Sequence, residues 1–373
     1  MRVLLAGGGT AGHINPAIAI GNFIKKMEQD AKILYVGAKG SMEERLVPEA
    51  GFDFRAIGIS GFDRKINLQS IKKNILTLKR IITSSLESKK IISNFLPDIC
   101  IGTGGYVSGP VLRIASKMGF KTLIHEQNAL PGMTTKMLSS TVNCVMLATE
   151  VAKNHLSRNI NIRVTGNPIR EEIILSRKEQ SKKMLKLDER PVILSFGGSL
   201  GSDKINTVMA GVIAHNVQNG NRYQHVHAYG RYNDEFLHFL KDKGVEPAKY
   251  KNIRVEKYID MPHYLAASDL VISRSGAITV SELQAAGKPS ILIPSPNVSG
   301  NHQYHNAMEL VNRKAAKLIE EKNLTESYLL EIVEKMFSDK SVLKFFSENS
   351  QKMAILDADK RIYEIIKETL DPR

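Results

Sequence analysis

Two glycine-rich turns each follow an apolar run and lead into a helical pattern: Leu4-Leu5-Ala6-Gly7-Gly8-Gly9-Thr10-Ala11-Gly12-His13 and Ile193-Leu194-Ser195-Phe196-Gly197-Gly198-Ser199-Leu200-Gly201. A strand running into adjacent glycines and then a helix lets backbone N–H groups approach an anion, most often a phosphate. A third stretch, Arg274-Ser275-Gly276-Ala277-Ile278-Thr279-Val280-Ser281-Glu282, ends a strand in small residues and opens a helix. Its free N–H groups near Ala277–Thr279 suit a diphosphate. Glu282 lies about a turn and a half into that helix, where a carboxylate can accept two ribose hydroxyl bonds. The plainer alternative is ordinary placement of an acid near a helix start. Asn301-His302-Gln303-Tyr304-His305-Asn306 adds amides and imidazoles, which suit the neutral hydroxyls of a sugar.

Other chemistries fit less well. Gly7-x-Gly9-x-x-Gly12 has the spacing of a dinucleotide fingerprint, but the strand Ile33–Val36 ends in Gly37-Ala38 where a ribose-holding acid belongs. Turns needed only for helix–strand packing are the other reading. No His/Cys/carboxylate cluster has metal-ligand spacing, and Asp357-Ala358-Asp359 reads as the solvated face of a charged C-terminal helix. Neither a metal nor a cofactor is expected.

The elements that position these residues alternate. In the first half the pattern predicts strands 2–6, 32–36, 53–57, 98–101, 121–124 and 142–146, separated by helices 14–28, 41–50, 68–93, 107–118 and 132–139. The second half predicts strands 191–195, 223–228, 253–255, 269–272 and 289–293, with helices 203–217, 261–267, 277–286, and near 303–313, 325–337 and 341–369. Such alternation means parallel, doubly wound α/β sheets. Val164-Thr165-Gly166-Asn167-Pro168 reads as a linker, giving domains 1–164 and 165–373, with the last helix a candidate to pack back on the first. An internal echo supports duplication: Asp98 and Asp269 each precede a strand, a glycine turn, a helix, a glycine and another strand. Two Rossmann-like domains facing a cleft follow, with ligands at the carboxyl ends of the strands.

At 373 residues the chain is about right for two such cores. The apolar start Val3–Ala6 is too short for a signal peptide, and no run approaches the roughly 20 apolar residues of a membrane helix. Cys100 and Cys144 read as small buried residues in a reducing cytoplasm. Residues 1–165 carry +11 of the net +14, which points to an anionic partner on that half. With 6% aromatics and no Trp, a nucleic-acid surface is not expected. In helix 68–93, Ile71, Ile75, Leu78, Ile82 and Leu86 recur at helical spacing beside Lys72, Lys73, Lys79, Arg80, Lys89 and Lys90. A basic amphipathic helix can lie on anionic lipid; packing of the same stripe on the sheet is the alternative.

The segments GGGTAGHINPAIAI, GTGGYVSGP, HEQNALPG, GNPIR, GGSLGS, RSGAITVSE and NHQYHNA, running from residue 7 to 307, resemble in kind and order those of the MurG family of peptidoglycan glycosyltransferases. The resemblance implies a GT-B fold and inverting transfer of GlcNAc from UDP-GlcNAc to the C4 hydroxyl of a lipid-linked muramyl pentapeptide (lipid I), giving lipid II. It implies acceptor lipid at the first domain and UDP-GlcNAc mainly at the second. By motif, Glu282 would hold the ribose, Ser199 a phosphate, and Ile259 the uracil edge through its backbone. Ala277, Ile278 and Thr279, with Val280 and Ser281 beside them, would meet the diphosphate, and Gln303 the GlcNAc hydroxyls. Asn128 and Thr10, with Ala11 and Gly12, would reach the sugar from the first domain, and Arg170 would lie near the nucleotide. His13 is the candidate base, since a helix N-terminus disfavours imidazolium and leaves a neutral ring able to accept a proton; a contact to the lipid pyrophosphate is the alternative. Tyr106, His125 and Glu126 are acceptor-site or alternative-base candidates. Ala11 stands in place of a common glycine, and His302 in place of a glutamine. The expected location is the cytoplasmic face of the cell membrane, held peripherally by anionic lipid, with other cell-wall synthesis proteins as further candidate partners. A non-catalytic nucleotide-sugar or nucleic-acid-binding protein is the competing class, and it would bind without turnover.

Overall fold

A computed structural model describes residues 1–60, 68–231 and 233–371, and of 68–79 and 81 the backbone only. The chain divides into two compact units, Met1–Pro168 with Asp357–Arg373, and Ile169–Leu356.

The first unit holds a seven-stranded, all-parallel sheet: β1 Arg2–Ala6, β2 Lys32–Ala38, β3 Asp53–Ile57, β4 Ile99–Gly102, β5 Lys121–Glu126, β6 Cys144–Leu147 and β7 Ile162–Val164, in the order β3-β2-β1-β4-β5-β6-β7. The central strand is apolar from Val3 to Ala6 because both its faces are covered there. Val3 and Leu5 join one core with Ile14, Ile20 and Ile24, while Leu4 and Ala6 join the other with Val107, Val111 and Leu112. The chain runs outward from β1 to β3 and then crosses back to β4, so the strand order reverses between β1 and β4. That reversal leaves a crevice at the strand ends, where ligands of such sheets bind.

The second unit repeats the plan with six parallel strands: β8 Val192–Phe196, β9 Gln224–Ala228, β10 Ile253–Glu256, β11 Leu270–Ser273, β12 Ser290–Leu292 and β13 Ala316–Leu318, ordered β10-β9-β8-β11-β12-β13. Here the reversal lies between β8 and β11. Both turns singled out in this half, Gly197–Gly201 and Arg274–Gly276, leave the ends of those two strands.

Several boundaries differ from the expectations. The segment read as a linker begins in an edge strand, β7, and the units part at 168/169. The predicted helix 341–369 is two helices, Lys340–Lys352 and Ala358–Leu370. The second returns to the first unit: Ile362, Ile365 and Ile366 complete the core around Val3, Leu5 and Ile24, and Tyr363 donates a 2.8 Å hydrogen bond to Glu28. Residues 357–373 therefore belong with the first half. Asp359 is also not on a solvated face. Its Oδ1 is buried without a hydrogen-bond partner among the described residues, and burial pushes the carboxyl up to about 6, with Lys26 opposing.

Candidate active site

The first site is built by two turns that interlock. Thr103 Oγ1 donates to the His13 carbonyl at 2.7 Å, and Ser108 Oγ donates to the Ala6 carbonyl at 2.8 Å, tying the β4 turn to β1 and the helix Ala11–Met27. The approach is so close that side chains are excluded. A Cβ on Gly105 (φ +72°) would stand 2.1 Å from the Gly8 carbonyl oxygen, and one on Gly104 (φ +100°) 2.8 Å from His13 Nδ1. Glycine is required there both for backbone conformation and for space. Gly9 N–H is directed at the buried Glu43 carboxylate, 3.4 Å away, so part of this turn's donor capacity is taken by the protein itself.

His13 sits in the first turn of that helix. Its Nδ1 lies 3.0 Å from the Thr103 carbonyl oxygen and 3.1 Å from Gln127 Oε1. Both partners are acceptors, so Nδ1 carries a proton, and neither of these contacts engages Nε2. Tyr106 lays its ring against Gly9, and its hydroxyl lies 3.5 Å from Ser41 Oγ. Thr10 and Gly12 are exposed and Ala11 half-buried around the same turn.

The HEQN segment at the end of β5 divides its work differently from the expectation. His125 is fully buried, with Nε2 2.9 Å from the Gly166 carbonyl and Nδ1 3.0 Å from Gln127 Nε2, and burial pushes its imidazole down. Both nitrogens are spent on protein, so His125 is withdrawn as a base. Glu126 is buried too. One carboxylate oxygen accepts from the backbone N–H and Nδ2 of Asn128 at 3.1 and 3.0 Å, the other from Gly132 N–H at 2.8 Å and Thr135 Oγ1 at 2.6 Å. Four donors saturate it. It is withdrawn as a base as well, and instead shapes the loop that holds Asn128.

The second site lies at the other strand reversal. The helix Ala277–Ala285 makes its first backbone bond from Val280 N–H to the Gly276 carbonyl, which leaves the amides of Ala277, Ile278 and Thr279 ahead of the ladder. Val280 drops out of the site for the same reason, since its N–H is used and its side chain is core. Glu282 is mostly buried and accepts a 3.2 Å bond from Arg170. Burial pushes its carboxyl up and Arg170 opposes the shift. Ser199 is exposed on the glycine turn; the Ile259 side chain is buried, leaving its backbone as the only group it can offer. Gln303 Oε1 accepts from Ser295 N–H at 2.9 Å, which fixes the orientation of its amide. Ser281 is half-buried on the Glu282 helix, and His302 donates from Nδ1 to the Ser299 carbonyl.

Sequence reasoning missed Arg274. It donates to the carbonyls of Ile293 and Pro294, to Ser202 Oγ at 2.6 Å and to Glu321, joining the glycine turn to the loop after β12. The signal was its place one residue after β11, beside the small residues that were read.

Two parallel-sheet units, each with glycine turns at a strand reversal, one turn set ahead of a helix with unpaired first-turn amides and the other framing an oriented imidazole, define a glycosyltransferase of the GT-B class. Residues 3–147 match the Glycosyltransferase family 28 N-terminal domain and residues 192–362 the Glycosyltransferase family 28 C-terminal domain. The UDP-N-acetylglucosamine--N-acetylmuramyl-(pentapeptide) pyrophosphoryl-undecaprenol N-acetylglucosamine transferase of Acetivibrio thermocellus is 41% identical over 372 residues, covering 99% of this chain and 98% of that one. The protein of the same name in Desulforamulus reducens is 41% identical over 373 residues, covering 99% of each. The crystal structure of Acinetobacter baumannii MurG superposes with a TM-score of 0.78 at 24% identity, over 98% of this chain and 99% of that one. The chain belongs to the MurG family of glycosyltransferases.

Proposed function

We propose that this chain transfers GlcNAc from UDP-GlcNAc to the C4 hydroxyl of the MurNAc unit of undecaprenyl-pyrophosphoryl-MurNAc-pentapeptide, inverting the α-linked donor to a β-1,4 product. The observation that carries the reading is identity of about 40% along the whole chain to relatives bearing that name. The first unit takes the acceptor and the second the donor. His13 Nε2 removes the proton of the C4 hydroxyl as its oxygen attacks the anomeric carbon, and the bond to UDP breaks. The amides of Ala277, Ile278 and Thr279, with Ser199, carry the charge that develops on the diphosphate. Glu282 accepts from the ribose hydroxyls, Ile259 meets the uracil through its backbone, and Arg170 lies beside the nucleotide. Gln303 donates to GlcNAc hydroxyls. Thr10, Ala11, Gly12 and Asn128 contact the sugar from the first unit, and Tyr106 lines the acceptor side.

No helix among the described residues is long and apolar enough to cross a membrane. Peripheral contact with the cytoplasmic leaflet is supported by the helix Leu68–Phe95: Ile82 and Leu86 are each 65% exposed, and Arg80, Lys89 and Lys90 are exposed around them. Ile71, Lys72, Lys73, Ile75, Leu78 and Lys79 lie outside the residues whose side chains are described.

Radiolabelled UDP-GlcNAc incubated with a short-chain lipid I analogue tests the reaction. Labelled disaccharide product is expected; donor binding without product would make the chain a binding protein. His13→Ala should lower kcat by about 10²–10⁴ with UDP affinity little changed. A near-normal kcat with a raised acceptor KM would make His13 a pyrophosphate contact. EDTA should leave turnover intact.

A further inference from the structure

We infer that Gln127 is a positioning residue that locks His13 in its Nδ1–H tautomer; this rests on the reading of His13 as the base. The amide of Gln127 is held from both ends. Its Nε2 lies 2.9 Å from the His125 carbonyl oxygen, a contact only an N–H can make well, which fixes the amide with Oε1 toward His13. The second N–H of that Nε2 points to His125 Nδ1 at 3.0 Å, so Nδ1 of His125 is the acceptor and its Nε2 carries the proton given to the Gly166 carbonyl at 2.9 Å. The backbone of Gln127 is tied as well, through its carbonyl, to Asn167 Nδ2 at 3.2 Å.

Every hydrogen in this chain is thereby assigned in one direction: His13 gives to Gln127, Gln127 gives to His125, His125 gives to Gly166. Reversing the His13 tautomer would leave its bare Nδ1 facing two acceptors, Thr103 O and Gln127 Oε1, at 3.0 and 3.1 Å. That repulsion is what the lock imposes. A ring with its proton on Nε2 would have no lone pair to offer the acceptor hydroxyl. Gln127 and His125 are both almost fully buried, so water is poorly placed to substitute for either. The glycine at 104 completes the arrangement by admitting the imidazole beside the Thr103 carbonyl.

The test uses the full-length protein, ¹⁵N-labelled at histidine, with the short-chain lipid I analogue as acceptor. Gln127→Met keeps the length of the side chain and removes the acceptor. Thermal melting and UDP binding identify any variant that has not folded. The parent should show His13 as the Nδ1–H tautomer at a pH where the ring is neutral. The Met variant should show a mixture of tautomers, with kcat reduced about 10- to 100-fold and the KM for UDP-GlcNAc within about twofold. This is less than the loss of about 10⁴ produced by a fully wrong tautomer, because the Thr103 carbonyl remains. An unchanged tautomer in the Met variant overturns the lock whatever its rate. A changed tautomer with unchanged kcat, where His13→Ala does lower kcat, overturns the positioning role. If His13→Ala leaves kcat intact, the base assignment falls instead, and the tautomer spectra still judge the lock.

Discussion

Glu282 shows how burial and charge divide a single side chain's behaviour. Burial pushes its carboxyl up while Arg170, 3.2 Å away, pulls the other way. Glu282→Ala should raise the KM for UDP-GlcNAc strongly and leave the fold intact, because charge-assisted hydrogen bonds contribute roughly 1.5–3 kcal/mol each. A variant that binds UDP as tightly as the parent would remove the ribose assignment. Motif spacing singled out Glu282, although an acid near a helix start has the ordinary use of complementing the helix terminus as well. The HEQN segment stood out in the sequence as a polar cluster at a strand end, but its division of labour did not. Which of four adjacent polar residues faces the crevice depends on the pleat at the end of β5 and on the Gly132–Thr135 turn, and neither is written in local composition. His125 and Glu126 are consumed by the scaffold for that reason.

Among elements, the central strands were readable because both faces are buried and the runs are mostly apolar. The edge strands β7 and β13 were not, being three residues long with a basic residue in the middle of each. The break between Lys352 and Ala358 carries no glycine or proline, and the apolar periodicity runs through it. What divides the helix is the passage from one unit's core to the other's. Asp359, at the start of the last helix, has a folded value of about 6 against an ordinary 3.8. Its raised value means that docking binds a proton, so its cost is present above pH 6 and relieved as pH falls through that value. Asp359→Asn should therefore raise the melting temperature at pH 8 and lose that advantage by pH 4, as calorimetry at the two pH values would show. In the helix Leu68–Phe95, Ile82→Ser with Leu86→Ser removes exposed apolar surface without opening a core. Sedimentation with anionic vesicles should weaken, while turnover of the short-chain acceptor is largely kept. Unchanged sedimentation would place the membrane contact elsewhere.

For the whole molecule, buried imidazoles tie stability to pH: His125 in the first unit and His225 and His227 in the second. Burial holds His225 down at about 4 and His227 at about 3, the latter with the charge of its neighbour adding to burial. His227 is bridged by Ser195 and Asn206, whereas both ring nitrogens of His225 have no hydrogen-bond partner among the described residues. Unfolding lets both rings take protons near pH 6.5, so the stability they contribute is whole above that pH and is lost as pH falls toward the folded values. His225→Phe should flatten the decline in stability between pH 6.5 and 4 in denaturant titrations. An unaltered slope would mean that the ring is already solvated in the native state.

The return of residues 357–373 to the first unit also sets an order of events during synthesis. The amino-terminal sheet leaves the ribosome early, yet the surface formed by Val3, Leu5, Ile14 and Ile24 cannot be closed until Ile362, Ile365 and Ile366 have been translated. The half made first is thus the half finished last. Throughout elongation the nascent chain carries an uncovered apolar face, a natural point of engagement for chaperones. A stop codon after Leu356 would leave the second unit whole and the first permanently waiting for its final piece.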